Sequence, residues 1–289
     1  MISVAFEYHA PSTVPEALSL LSSLGDGAKL LAGGHSLLPM MKLRFAEPSH
    51  LIDLGKIAGL RGITQVGNEI HIGAMTTENE LIGSKLLSDK LPLLVEGAGW
   101  ISDPQVRYKG TIGGDISHGD PGNDHPALML ALDASFVLNG PKGERVVKAE
   151  GFFLGLYSTL LEPDEILTTI RVPIPPPGTG WSYEKLKRKT GDFATAAAAV
   201  LLRMQGQNVV SASIALTNLG ATPLKATAAA AWLIGKPIND ASLNEAARLA
   251  MGICDPTADQ RGDAQYKTAM AGEMTRRALL SAHARAVKS

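Results

Sequence analysis

Two glycine pairs carry the residue types and spacing from which chemistry can be built. Ala32-Gly33-Gly34-His35-Ser36-Leu37 follows the run Lys29-Leu30-Leu31, and Thr111-Ile112-Gly113-Gly114-Asp115 repeats the theme later in the chain. Adjacent glycines at the end of an apolar strand permit backbone conformations that a Cβ forbids, and they let a ligand approach the main chain. With Ser36 or Thr111 adding a hydroxyl, each turn would form a shallow nest for phosphate oxygens. Two such nests could embrace the two phosphates of a dinucleotide. Glycine pairs also close many tight turns that bind nothing. The common nucleotide signatures, G-x-G-x-x-G after a strand and G-x-x-x-x-G-K-[ST], are absent.

Other chemically capable residues read more simply. His35 has no serine and acid at a checkable spacing, so it reads as a conformational or ligand-contact residue rather than an acid-base catalyst. Asp115, His118, Asp120, Asp124 and His125 match no helix-borne metal motif and read as loop and cap residues, so no metal is assigned. Lys185, Lys187, Arg188 and Lys189 read as a solvated strand edge, Met40-Met41 as core filling and Cys254 as a small buried hydrophobe. Cys254 is the only cysteine, which excludes an internal disulfide and any multi-thiolate cluster carried by this chain alone.

The elements that must position these residues fall into three stretches. In residues 1–54, TVPEALSLLSSL has helical spacing, AKLLAG and HLIDL read as short strands, and Ser36 is placed to cap a helical turn over LLPMMKLRF. In 55–177, EIHIGAM reads as a strand and Thr77 to Glu80 as the capping box of a helix through Leu87. There Asp124 reads as the N-cap of DHPALMLALDA, SFVLNGPKGERVV as a hairpin through Asn139-Gly140, and EILTTIRVPI as a strand. PIPPPGTG reads as a linker. In 178–289, YEKLKRK, AVLLRM and VVSASIALTNL read as strands turning at Gly206, followed by alanine-rich helices. The implied order is two α/β units and a third α+β unit.

Composition narrows the function. Of 289 residues, 45% are hydrophobic and 19% charged, and 27 Lys+Arg nearly cancel 28 Asp+Glu, so a globular protein with no nucleic-acid footprint is expected. No apolar run reaches membrane-spanning length and the N-terminal stretch lacks a signal-like pattern, so a cytoplasmic location is expected.

The two glycine motifs resemble the paired flavin-binding motifs of the flavoprotein subunits of molybdenum hydroxylases, the xanthine oxidase family. AGGHSLLPMMKLR, DPQVRYKGTIGG, GDPGNDHPALM, YEKLKRKTGDFATAAAAV and SIALTN together resemble the medium subunits of the aerobic, molybdenum-containing carbon monoxide dehydrogenases within it. The resemblance implies an FAD-binding fold of the vanillyl-alcohol-oxidase (PCMH) type: two α/β subdomains and a C-terminal α+β domain of antiparallel sheet with helices. It implies that Lys29, Leu30, Leu31, Ala32, Gly33, Gly34, His35, Ser36 and Leu37 hold the diphosphate and ribityl chain together with Thr111, Ile112, Gly113, Gly114 and Asp115. Asp124 would accept from the sugar hydroxyls, Ile101 and Leu167 would make apolar contacts, Lys185 would be a cation near the flavin, and Phe193 would flank the ring.

Asp115 departs from the asparagine of many relatives. An ionised carboxylate there could only accept hydrogen bonds and would add negative charge near a diphosphate.

By the same resemblance the chain is an oxidoreductase subunit with noncovalent FAD and no catalytic acid or base of its own. Its partners would be a large subunit with molybdenum-pterin and a small subunit with [2Fe-2S] clusters, in a dimer of heterotrimers. Electrons would leave to a quinone-type acceptor, with peripheral association at the inner face of the membrane through the complex. The alternatives are a subunit of a related hydroxylase acting on an aldehyde, purine or N-heterocycle, or a stand-alone NAD(P)H-dependent flavin reductase of the same fold.

Overall fold

The computed structural model describes residues 2–288. The first sheet is parallel, with Glu7–His9 at one edge, His50–Asp53 central and Ala28–Leu31 at the other edge. The helix Val14–Leu24 covers one face, burying Ala17 and Leu21 against Ala28 and Ile52. Thr13 caps it by accepting from the Glu16 amide, and Gly25 ends it at φ 55°. Glu7–His9 had no hydrophobic pattern to announce it, since two of its three residues are exposed. Ser36 precedes the helix Leu37–Lys42 but its side chain makes no capping bond, contrary to the expected cap.

The second sheet is antiparallel throughout, in the spatial order Ile63–Val66, Glu69–Gly73, Ile166–Pro173, Ser135–Gly140, Gly143–Lys148. Its hairpin turns at Pro141-Lys142 rather than at Asn139-Gly140: Gly140 pairs with Gly143 and both expected turn residues stay in the ladder. A proline presets the φ that the first turn position needs, and this outweighs the Asn-Gly signal. Six short helices separate Gly73 from Ser135. The Thr77–Glu80 capping box forms as expected, but the helix stops at Gly83 and a second, Lys85–Lys90, starts from Ser84, which is extended and caps Leu87.

The second glycine pair lies in the first turn of the helix Ile112–His118, not in a turn after a strand. Thr111 is extended and caps the Gly114 amide. A Cβ on Gly113 would clash with Ala74 at the end of the second sheet, so glycine is what lets this helix seat there.

The third sheet is an antiparallel meander of Thr179–Leu186, Ala196–Gln205, Asn208–Thr217 and Leu224–Lys225. The helices Thr227–Leu233, Asp240–Met251 and Ala264–Ala286 follow it. The alanine run now has a reason. Side chains alternate across a strand, so Ala196 and Ala198 pack with Leu243, Ala278 and Leu279 of the late helices. Ala197 and Ala199 pack instead with the core of the second unit. This sheet is covered on both faces.

Candidate cofactor site

The segment after Ala28–Leu31 is built to present its backbone. Gly34 has φ 77°, which favours glycine, and its carbonyl accepts from Leu38 as the next helix begins. Among the described residues, no acceptor engages the amides of Gly33, Gly34, His35 or Ser36. Gly33 lies so close to the Lys109 carbonyl and Gly110 Cα that a Cβ could not fit, and a Cβ on Gly114 would stand 3.4 Å from that of Ala32. The two glycine motifs therefore touch, although they belong to different sheets.

Where they meet, Ala32 and Thr111 line an open cleft of about 660 Å³, within the size range of cofactor sites. Asp53, Gly55, Arg61, Met75, Thr77, Asn79, Glu80, Tyr108 and Lys109 complete its wall. Arg61 and Lys109 supply cationic character, Arg61 lying 3.8 Å from Glu80. None of these nine was chosen from the sequence as a cofactor residue, although Thr77 and Glu80 were named as a capping box and Tyr108 and Lys109 lie in the quoted stretch DPQVRYKGTIGG.

The second motif contributes differently from the first. Its amides are already committed: Ile112 donates to the Thr76 carbonyl, Gly113 to that of Ala74, Gly114 to Thr111 Oγ1 and Asp115 to the Thr111 carbonyl. A nest of Gly113 and Gly114 amides, as expected from sequence, is thus not available. What the motif offers is the Thr111 hydroxyl proton and the Asp115 side chain.

Asp115 opens a buried polar cluster beneath the helix. Its Oδ1 is closed to solvent without a partner. Burial pushes its carboxyl up to about 8, with His125 pulling back and Glu78, Asp124 and Asp120 adding to the rise. Near neutral pH the side chain is therefore mainly a carboxylic acid with an O–H to donate, which restores the donor that the asparagine comparison had denied it.

Next to it, His125 Nε2 lies 2.8 Å from Glu78 Oε2, with side-chain exposures of 0% and 2%. Burial disfavours charge on His125, but the facing Glu78 carboxylate, by charge and hydrogen bond, together with Asp124 outweighs it and raises the imidazole to about 9.

Asp124 was expected to cap its helix. It is instead the first helical residue after Asn123, and its carboxylate faces the third sheet. Lys185 Nζ donates to Oδ2 at 2.6 Å and the Tyr183 hydroxyl to Oδ1 at 2.5 Å. Tyr183 also lies 3.2 Å from Thr217 Oγ1, and Lys185 reaches the Trp100 carbonyl at 3.4 Å, beside Ile101. Lys185 is thus a buried ion-pair partner, whereas Lys187 stacks over Trp100 at 4.7 Å.

The remaining candidates scatter. Ile101 and Leu167 are buried, Leu167 within the core of the second unit. Phe193 is exposed beneath the Arg261 guanidinium, near Gly122. Lys29 and His35 are exposed, and Leu30, Leu31 and Leu37 are half-buried.

Residues 4–175 match the family described as FAD binding domain in molybdopterin dehydrogenase, and residues 181–282 the CO dehydrogenase flavoprotein C-terminal domain. The chain is 59% identical over 285 residues to the carbon monoxide dehydrogenase medium chain of Hydrogenophaga pseudoflava, covering 99% of each. It is 52% identical over 286 residues to that of Afipia carboxidovorans, again covering 99% of each. Among solved structures, it superimposes with a TM-score of 0.97 and 60% identity on a chain of the Hydrogenophaga pseudoflava carbon monoxide dehydrogenase lacking the Mo-pyranopterin moiety, covering 99% of both. With two family domains in order and identity along the whole length, the chain belongs to the FAD-binding medium chains of the molybdenum hydroxylases, grouping with those of carbon monoxide dehydrogenase.

Proposed function

We propose that this chain holds FAD noncovalently at the contact of its two glycine motifs and serves as the electron outlet of a heterotrimeric carbon monoxide dehydrogenase. The observation that carries the reading is the meeting of Ala32–Gly34 with Lys109–Gly114 at the wall of the cleft. Thr111 lines the cleft with its hydroxyl, and the residues that adjoin the lining in sequence suit the group too: free amides at Gly33 to Ser36, after Ala32, and an orphaned buried oxygen on Asp115.

Bound FAD supplies the one- and two-electron chemistry that no side chain here provides. The amides of the first motif would hold the diphosphate together with the Thr111 hydroxyl, whose oxygen accepts from Gly114 and whose proton is left to donate. Asp115 would donate its carboxyl proton to a cofactor acceptor. Asp124 and Lys185 act as one unit: the carboxylate keeps a second lone pair on each oxygen that would accept from sugar hydroxyls, and the ammonium would supply positive charge to the flavin. We assign the proposed units 1–54, 55–177 and 178–289 one to each of the three larger sheets.

With one cysteine, the chain would receive electrons from [2Fe-2S] clusters on a small partner, while CO and water react on a large molybdenum subunit. We place the complex as a dimer of heterotrimers delivering electrons to a quinone-type acceptor. Among the described residues no helix is long and apolar enough to cross a membrane, so a membrane quinone would be met through peripheral association. The test is reconstitution. The isolated chain should bind one FAD and fail to oxidise CO, while the complex with both partners should reduce a quinone analogue with CO as donor. CO oxidation by the isolated chain, or no flavin uptake in any state, would reject the reading.

A further inference from the structure

Three side chains unused by the cofactor site converge on the first sheet. The parallel register pairs Glu7 with His50 and His9 with Ile52. Residues two apart on a strand, and partners across a ladder, project from the same face. Glu7, His9 and His50 therefore share one face, while Tyr8 points the other way and donates to Asp53 in the cleft wall at 2.5 Å.

We propose that Glu7, His9 and His50 form a binding site for one divalent transition-metal ion, best suited to Zn²⁺. One ligand atom from each residue lies within 4.8 Å of the others. His9 Nε2 is 3.2 Å from His50 Nδ1, and Glu7 Oε2 is 3.6 Å from the same Nδ1. A tetrahedral zinc ion with bonds of about 2.0–2.2 Å separates its ligand atoms by about 3.3–3.6 Å, so the Glu7–His50 edge matches and the His9–His50 edge needs to open by only about 0.1 Å. The third edge closes by rotation of Glu7, whose side chain is 75% exposed and, at 3.6 Å, is not held by a hydrogen bond to His50.

The donor set defines the ion. Two imidazoles and a carboxylate suit Zn²⁺ and its neighbours, whereas Mg²⁺ and Ca²⁺ require oxygen ligands. Three protein ligands leave the fourth position to water. Because His9 and Glu7 come from the edge strand and His50 from the central one, the ion would clamp the three-residue strand Glu7–His9 onto the sheet. Through Tyr8 this also steadies Asp53 in the cleft wall.

The experiment is calorimetric titration of the FAD-loaded, chelator-treated full chain with Zn²⁺, and separately with Mg²⁺. One equivalent of Zn²⁺ should bind saturably and Mg²⁺ should give no binding heat. His9→Ala and His50→Ala should each weaken Zn²⁺ at least about tenfold, and Glu7→Gln should weaken it less. Absence of saturable Zn²⁺ binding, or affinity unchanged by His50→Ala, overturns the proposal. Flavin absorbance checks that each variant folds. If one does not, anomalous diffraction at the zinc edge from wild-type crystals decides, with a peak among the three side chains supporting the site and none there refuting it.

Discussion

Lys185 and Asp124 form an ion pair of 2.6 Å between the third sheet and a helix of the second unit, with side-chain exposures of 1% and 6%. Two charges so far from water are stable only together, because either alone keeps its desolvation cost without its partner. Lys185→Met should therefore destabilise the chain by about 3–5 kcal/mol, and adding Asp124→Asn should recover much of that loss. Denaturant unfolding of the two variants tests this. Equal losses would show that the pair does not act as a unit.

The proposed cofactor role gives the same ammonium the task of favouring the reduced, anionic flavin. In Lys185→Met, which removes the ammonium and leaves the Asp124 carboxylate, the flavin potential should move downward relative to wild type, and the double variant, which removes both charges, should move less. Redox titration of the loaded chain reads this directly, and an unchanged potential would remove Lys185 and Asp124 from electron transfer.

Asp115 makes stability depend on pH. Its carboxyl is raised from 3.8 to about 8, so the folded chain holds a proton that the unfolded chain releases. That contribution is complete at acid pH and is lost as pH rises toward 8, at up to about 1.4 kcal/mol per pH unit. His125, raised from 6.5 to about 9, acts with the same sign at higher pH. Asp115→Asn, which keeps a donor but cannot ionise, should flatten the dependence between about pH 4.5 and 6.5 and leave the His125 portion between about pH 6.5 and 9. Urea unfolding at four pH values separates the two, and a variant as steep as wild type below about pH 6.5 would contradict the assignment.

Gly33 is a position where a single methyl group should matter to the cofactor site. Its Cβ would collide with the Lys109 backbone, forcing the two motifs apart. Gly33→Ala should cost about 1–3 kcal/mol of stability and weaken FAD binding by tenfold or more. Gly99 is the control, since its Cβ would meet nothing within 4 Å and it sits in the helix Pro92–Trp100. Gly99→Ala should be neutral or stabilising by up to about 1 kcal/mol. Flavin fluorescence titrations of both variants compare them.

Glu78 and His125 offer a test of the buried cluster. His125→Ala leaves a carboxylate 2% exposed with its imidazole partner gone, an expected loss of about 3–5 kcal/mol. Glu78→Gln together with His125→Ala should be milder. Thermal unfolding distinguishes them.

What the sequence makes legible follows from locality. The capping box at Thr77 and Glu80, the strands turning at Gly206 and the alanine-rich helices are short-range patterns, and all appear in the structure. The glycine motifs were legible as a pair, but not their unequal chemistry. Whether the amides of Gly113 and Gly114 are free depends on Ala74 and Thr111, and only the folded chain shows that they are not. Tyr183 is silent for a similar reason: its partner Asp124 lies 59 residues away, and a tyrosine in an alternating strand reads as core. His9 and His50, 41 residues apart, meet only through the parallel register.

The strand Ala196–Gln205 sorts mutational damage by parity. Even-numbered positions from Ala196 to Leu202 address the terminal helices, and the odd-numbered alanines address the layer that bears Asp124. Enlarging Ala198 should therefore loosen the C-terminal lobe while sparing flavin, and enlarging Ala197 should do the reverse. Neighbours one peptide bond apart would yield opposite phenotypes.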